Sequence, residues 1–406
     1  MKLVLFTNSY PYGIGEMWKH NEINLISSYF ASITVLPFHY GGNNFPKKFN
    51  ISNVKLYEPI FKSDSQKLNY IDLLLPFVGR SALINFKEMG HILTKFSKKN
   101  LVKFYSSTKK TREIIKHELL KEILTEDNSD TILYFYWGLG SAEILPLIDV
   151  SKFKKVVVRM HRYDLYEYAN DNYIPFRKQL LNQKITILPC SDDGVSHLKA
   201  HYPGHIADVR TQRCGVLAAK DVTLGSSDEK LKIVSCSFLV PVKRISLMIE
   251  AASLLNIPFE WYHIGSGQLE IELKEFVRLN NLDDRFKFIG KIPSELVLDY
   301  YIKNNFDLFV NTSRSEGVPI SIMEAFSVGM PVIAADAGGT KEIVDESVGF
   351  LLSNDFIPIE LKNTIENYYY LPQNQKNIIR QNAFARFKDK CDMEKLTQEL
   401  IEVLKK

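Results

Sequence analysis

Ten short runs, apolar toward both faces, alternate along this chain with longer stretches of helical periodicity, and no other feature limits its fold as strongly. In the first half they are LVLF (3–6), ITVLP (33–37), TILYFY (131–136), VVVRM (156–160) and ITILP (185–189). In the second half they are KIVSC (232–236), FEWYHI (259–264), FKFI (286–289), DLFVN (307–311) and PVIAA (331–335). A strand that buries both faces needs helices above and below it, which is the condition of a parallel sheet built from βαβ units. The series restarts after AAKDVTLGSSDEK (218–230), a small and polar stretch that reads as a linker. At 406 residues the chain is too long for one ordinary core and suits two. The expected class is α/β, with two doubly wound domains over residues 1–216 and 217–384. A last helix at about 392–405 carries Met393, Leu396, Leu400 and Leu404 at helical spacing. It lies in a C-terminal segment (385–406) expected to pack back on the first domain.

Several classes are excluded by composition. No run of 18 apolar residues exists, so no spanning helix is expected. The N-terminal apolar run is four residues long, too short for a secretory h-region, and reads as a first strand. The four cysteines, Cys190, Cys214, Cys236 and Cys391, form no C-x-x-C pair, so neither a zinc cluster nor a disulfide framework is expected. Reduced thiols fit a cytoplasmic protein. The net charge of +4 hides an asymmetry. Residues 1–216 hold 29 Lys/Arg against 20 Asp/Glu, whereas residues 217–406 hold 22 against 27. Most of the excess lies in 47–121, with 16 basic and 6 acidic residues, and such a surface suits an anionic partner.

Ligands of open parallel sheets bind beyond the carboxyl ends of the strands. The loop after DLFVN is TSRSEG, and it carries Glu316. Gly317 and Pro319 then open a helix that ends at Gly329, with Glu324 eight residues after Glu316. Free amides at such a helix start suit a phosphate. A carboxylate there repels phosphate and suits sugar hydroxyls instead. Glu324, two turns on, suits a vicinal diol such as ribose. Diphosphate, hexose and ribose together describe a nucleotide sugar. The plain alternative is a carboxylate that complements the helix dipole and a mid-helix glutamate facing solvent.

The longer segment EGVPISIMEAFSVGMPVIAADAGGTKEIV, followed by GFLL, resembles the signature of the family 4 retaining glycosyltransferases of GT-B fold. The resemblance is strong over 231–352 and loose over most of the chain. It implies two Rossmann-like domains whose parallel sheets face across a cleft, with the second binding the donor. It also implies closure of the two domains around the donor. By that resemblance Glu316 meets the donor sugar, Glu324 the ribose, and the amides of Gly317 and Val318, next to Pro319, the diphosphate. SFLVPVKR places Lys243 where the family has a phosphate-binding lysine. The family's usual arginine is Phe238 here, so Arg244 or Arg314 is expected to supply the second cation. WYHIGSGQLE matches a Gly-x-Gly turn at Gly265 and Gly267, and FKFIGKIP matches a nucleobase loop at Gly290, Lys291 and Ile292. VVVRMHRYDLYEY puts His161 opposite the donor sugar, with Arg159, Arg162 and Asp164 as secondary candidates. SYPYGIGEMWKHNEI resembles the glycine loop between acceptor and donor phosphate, through Gly13 and Gly15. FYWGLG offers Tyr136 and Trp137 for an acceptor wall, or for core packing.

The implied reaction moves a sugar from a nucleotide-diphosphate sugar, UDP-linked by expectation, to a hydroxyl of a glycan or lipid-linked glycan, with retained configuration. It requires no cofactor and no metal, since helix amides and Lys243 take the diphosphate charge. His197, His201 and His205 stand four apart, but Pro203-Gly204 breaks the helix before the third, so no zinc face is expected. The family analogy places the reaction in capsule, O-antigen or exopolysaccharide synthesis. Residues 69–104 mix apolar clusters with Lys and Arg, which suits either an anionic membrane or ordinary core-facing helices. No nucleic acid is expected as a partner. Two other classes stand beside this reading. An epimerase would share the donor site and need acid/base residues opposite it, and no such pair is identifiable. A non-catalytic binder would have lost donor-site residues, and both glutamates and Lys243 are present.

Overall fold

A computed structural model describes residues 1–12, 16, 19–41, 51–62, 68, 70–78, 81–94, 97–226 and 229–406. The chain forms two units, one of Met1–Gln212 with Thr397–Lys406 and one of Arg213–Leu396.

In the first unit, seven strands are all parallel: β1 (Lys2–Thr7), β2 (Ser32–Pro37), β3 (Val54–Leu56), β4 (Asn128–Phe135), β5 (Phe153–Met160), β6 (Thr186–Pro189) and β7 (Asp208–Val209). Their order is 3-2-1-4-5-6-7, with Leu3 opposite Ile33 on one side and Ile132 on the other. The alternation of side chains fills two cores. Val4 and Phe6 join one cluster with Leu133 and Phe135, while Leu3 and Leu5 join another with Ile132 and Tyr134. Leu400, Ile401 and Leu404 of the last helix, Met393–Lys405, complete the second of these. Lys155 Nζ caps that helix by donating to the Val403 carbonyl at 2.6 Å.

The second unit has six parallel strands: β8 (Leu231–Cys236), β9 (Phe259–Ile264), β10 (Phe286–Gly290), β11 (Leu308–Asn311), β12 (Val332–Ala335) and β13 (Gly349–Leu352), in the order 10-9-8-11-12-13. Ile233, Leu308, Val310 and Ile333 face one core; Val234, Phe309, Val332 and Ala334 face the other.

All ten anticipated strands are present. The three that sequence reading missed, β3, β7 and β13, each lie at a sheet edge. An edge strand has one neighbour, needs few residues and buries less, so its apolar signal is weak. The stretch 218–230 also differs from a free linker. Thr223 N donates to the Val328 carbonyl at 2.8 Å, Arg380 reaches Thr223 Oγ1 at 2.8 Å, and Ser226 N donates to Asp307 at 2.7 Å. Its described residues are thereby bound to the second unit. None of the four cysteines is in a disulfide. No helix among the described residues is long and apolar enough to cross a membrane.

Candidate functional site

In each sheet the strand order reverses once, between β1 and β4 in the first unit and between β8 and β11 in the second. The crevice beyond the strands at such a reversal is where open α/β sheets take ligands. Lys243 follows β8 and Glu316 follows β11, so the second unit puts both at its reversal point. Three bonds stitch the two loops together. Thr312 Oγ1 donates to the Lys243 carbonyl at 2.8 Å, Arg314 N to the Val242 carbonyl at 2.8 Å, and Arg244 Nε to the Thr312 carbonyl at 2.7 Å. On that frame Lys243 Nζ lies 2.5 Å from Glu316 Oε1, with side chains 20% and 12% exposed. The pair is shielded yet still reachable from solvent.

The helix Ile320–Ser327 starts just beyond Glu316, behind Pro319. Proline at that place costs no hydrogen bond, because the first amides of a helix have no partner within it. The amides of Gly317 and Val318 donate to no described residue. They add to the helix start a pair of donors beside Lys243. The turn is held from below by Gly339 N, which donates to the Gly317 carbonyl at 2.7 Å. Gly338, at φ +54°, allows this approach, since a Cβ there would stand 2.1 Å from the Glu316 carbonyl oxygen.

Glu324 lies on the same helix. Its carboxyl accepts no hydrogen bond from the described residues, and burial pushes its pKa up to about 7. Cys236, at the end of β8, and Tyr301 both feel its charge; burial, first, and Glu324, second for Cys236, raise the thiol to about 12. A mid-helix glutamate facing open solvent would be exposed, whereas Glu324 is only partly so. The plain alternative for Glu324 therefore does not describe this side chain.

The structure gives the two arginine candidates different positions. Arg244, at φ +52°, spends its guanidinium on the carbonyls of Thr312 (2.7 Å), Asn354 (2.6 Å) and Ser313 (3.4 Å). It pins the Glu316 loop. Arg314 is exposed and its side chain has no partner among the described residues. Phe238, at the place of the family's arginine, is exposed.

The glycine turn after β9 is needed by the protein's own backbone. A Cβ on Gly265, at φ +143°, would stand 1.9 Å from the Ser237 carbonyl oxygen, and one on Gly267 would stand 2.5 Å from that of Leu239. Leu239 N donates to the Ser266 carbonyl at 3.1 Å and Gly265 N to that of Gly290 at 2.9 Å, so the loops after β8, β9 and β10 interlock. Gly290, at φ +78°, has nothing within 4 Å of where a Cβ would be. Lys291 is exposed and Ile292 packs against the core of this unit.

In the first unit, His161 ends β5. Its ring lies 5.2 Å from that of Tyr136 and 4.6 Å from that of Trp137. Burial, then the charges of Arg159 and Lys19, hold its pKa well below the ordinary value, so the imidazole is neutral. Asp164 accepts from His161 N at 2.6 Å and from Gly138 N, and burial raises its pKa to about 6. It ties the loops after β4 and β5 together. Arg159 is buried and donates to Glu22 at 2.6 Å and to Tyr134 Oη at 3.2 Å, and Tyr136 Oη reaches the same Glu22. Arg159, Asp164 and Tyr136 thus belong to the interior of this unit and present no polar group on an acceptor wall, because burying Arg159 required a carboxylate partner. Trp137 is half-buried and Arg162 is partly exposed. Gly13 and Gly15 lie outside the described residues.

Sequence reading missed Glu16 and Lys19. The Glu16 carboxylate accepts from Ser9 N, Tyr10 N (2.6 Å), Lys19 Nζ and Trp137 Nε1. Lys19 is fully buried, its ammonium 3.7 Å from the centre of the Tyr136 ring. The pair gathers the loop after β1 onto the loop after β4, at the reversal point of the first sheet. Its only trace in the sequence is an E-x-x-K spacing, which an ordinary surface helix shares. Of the spaced histidines, His197 pairs with Glu167 at 2.7 Å, while His201 and His205 contact the carbonyls of His197 and Tyr202.

Residues 219–386 match the model of the family described as glycosyl transferases group 1. Over 129 residues the chain is 32% identical to the amylovoran biosynthesis glycosyltransferase AmsK of Erwinia amylovora, covering 30% of this chain and 31% of that protein. Over 260 residues it is 25% identical to the putative colanic acid biosynthesis glycosyltransferase WcaL of Escherichia coli, covering 60% and 63%. The matches thus span about a third to two thirds of these relatives' length. Among solved structures, the lipopolysaccharide outer core galactosyltransferase WaaB aligns over all of both chains with a TM-score of 0.67 at 14% identity. HepE from Anabaena, solved with UDP and glucose, aligns over 100% of this chain and 99% of its own with a TM-score of 0.64 at 17% identity. The fold is GT-B.

Proposed function

We propose that this protein is a retaining glycosyltransferase of family 4. It moves a hexosyl group from a UDP-sugar to a hydroxyl of a glycan or lipid-linked glycan in surface polysaccharide synthesis. The observation that carries this reading is the convergence, at the reversal point of the second sheet, of the Lys243 ammonium, the unspent amides of Gly317 and Val318, and the Glu316 carboxylate. Cation and amides suit a diphosphate, and the carboxylate suits the hydroxyls of the sugar next to it. Relatives named for amylovoran and colanic acid synthesis support the polysaccharide context. The neighbour solved with UDP and glucose supports the donor class.

In the transfer step the bond from the anomeric carbon to the phosphate oxygen breaks. The bond to the acceptor oxygen forms on the same face, and the acceptor proton passes to the leaving phosphate. Negative charge grows on the diphosphate, so Lys243 and the amides bind the transition state more strongly than the ground state. This charge handling needs no metal. Glu324 takes the ribose diol, and Arg314, whose side chain is exposed, supplies the second cation. The protein acts in the cytoplasm, at the inner face of the plasma membrane when its acceptor is lipid-linked. Incubation with a panel of nucleotide sugars in EDTA tests the reading: release of UDP from a UDP-sugar supports it, and inertness toward every donor refutes it.

A further inference from the structure

Two helices of the first unit turn large apolar side chains outward and polar ones inward, although the second also buries Ile92 and packs Ile84 and Met89 against the core. In the helix Tyr70–Leu74 the buried residue is Asp72, while Tyr70, Ile71 and Leu74 are between 63% and 88% exposed. In the helix Ala82–Thr94 the polar Asn85 and Glu88 are buried, while Leu83, Phe86 and Leu93 are between 56% and 66% exposed. The spacing 83, 86, 90, 93 runs down one helical face, and its remaining member is Gly90. Each inward polar side chain is bonded to a described neighbour through at least one of its atoms. Asp72 is bonded by Lys109 at 2.8 Å, with Arg112 at 3.7 Å. Asn85 donates to the Pro76 carbonyl at 2.6 Å, and Glu88 accepts from Tyr173 Oη at 2.6 Å and Phe176 N at 3.1 Å. These partners fix the orientation, so the helices cannot roll to hide their apolar faces without stranding buried charge. Scattered single exposed leucines are ordinary, but a continuous apolar face held outward marks a binding surface.

Charge selects the occupant. Between residues 68 and 112 the only carboxylates are Asp72 and Glu88, and both are turned inward. The same stretch holds nine Lys and Arg, of which Lys87 and Lys98 are exposed. A face of large apolar side chains and cations without a carboxylate of its own matches a bilayer interface rich in anionic headgroups. We infer that the helices 70–74 and 82–94 lie in such an interface, inserting Tyr70, Ile71, Leu74, Leu83, Phe86 and Leu93 among the acyl chains. Lys99, Lys103 and Lys109 do not take part, the first two being bound to Asp171 and the last to Asp72. This rests on the reading above only in supplying the reason for a membrane address, namely a lipid-linked acceptor.

The test is sedimentation of the full chain with vesicles of equimolar phosphatidylglycerol and phosphatidylcholine, beside vesicles of phosphatidylcholine alone. The parent should sediment with the anionic vesicles and much less with the neutral ones. The triple variant Leu83→Gln, Phe86→Gln, Leu93→Gln should lose about tenfold or more in partitioning. Its far-ultraviolet spectrum and its solution hydrolysis of donor should match the parent, because all three side chains are more than half exposed and Phe86 gives up only its ring contact with Phe77. Phe86→Trp should show a blue-shifted emission on vesicle addition, quenched by brominated acyl chains. Lys243→Ala should bind vesicles like the parent, so failure of the glycosyltransfer reading would leave this result standing. Equal sedimentation of the triple variant, or no binding by the parent, overturns the inference. A reversible dimer abolished by the triple variant, without vesicle binding, assigns the face to a second copy and overturns it too.

Discussion

Lys243 Nζ and Glu316 Oε1 stand 2.5 Å apart although 73 residues separate them in the chain. The contact joins the loops after β8 and β11, and it couples the proposed phosphate cation to the proposed sugar carboxylate. Lys243→Ala should therefore do two things. Turnover should fall about 10²-fold with a smaller loss of donor affinity, because the leaving diphosphate gains charge in the transition state. The shielded Glu316 should also lose its partner, so Lys243→Ala with Glu316→Gln should be less impaired in thermal stability than the sum of the two singles. A normal kcat for Lys243→Ala would move the phosphate contact to Arg314.

Glu324 predicts a pH dependence. Its ordinary pKa is 4.5 and burial raises it to about 7 in the folded chain. Between those values the folded state holds a proton that the unfolded state has released. Stability from this group therefore falls as pH rises through that window, and the loss is complete above it. Glu324→Gln should accordingly gain in Tm over the parent at pH 8 and not at pH 4. Calorimetry should also show UDP affinity weakened by roughly 1.5–3 kcal/mol in Glu324→Ala, the worth of a hydrogen bond to a charged acceptor. Equal UDP affinity in Glu324→Ala and the parent would remove ribose from the assignment.

The two arginines predict opposite phenotypes. Arg244→Ala removes the donors that hold the carbonyls of Thr312, Ser313 and Asn354, so it should lower Tm before it changes donor affinity. Arg314→Ala should leave folding stability within about 0.5 kcal/mol of the parent and weaken binding of UDP in a salt-sensitive way. Thermal melts with and without UDP separate the two.

The glycines divide in the same manner. Gly265→Ala drives a Cβ to 1.9 Å from the Ser237 carbonyl oxygen and must shift two loops at once. A cost beyond about 3 kcal/mol is expected. Gly290→Ala meets open space and carries only the strain of its φ of +78°, about 1 kcal/mol. Urea denaturation of both variants checks the contrast, and equal costs would contradict it.

How far the sequence disclosed all this depended on where each residue sits. Central strands such as VVVRM announce themselves, because burial on both faces demands a solid apolar run. VKL of β3 and GFLL of β13, paired on one side only, do not. The motif singled out Glu316, Glu324 and Lys243 as candidates, but the contact between Lys243 and Glu316 depends on strand order, which no local spacing encodes. Arg159 and Tyr136 looked available at strand ends; only the fold reveals that Glu22, far away in sequence, draws both inward. Residues 69–104 read equally well as core-facing helices, and Ile92 and Phe104 are buried, but periodicity leaves open which way the second apolar face points.

The most direct test is a proton NMR time course of the protein with a UDP-sugar, in EDTA, for the parent and Lys243→Ala. The account predicts release of UDP by the parent, with the sugar appearing first in the donor's own anomeric configuration, and about 10²-fold slower release by the variant. First appearance of the inverted anomer would contradict retention. Failure to consume any nucleotide sugar offered, or equal rates for parent and variant, would contradict the donor site itself.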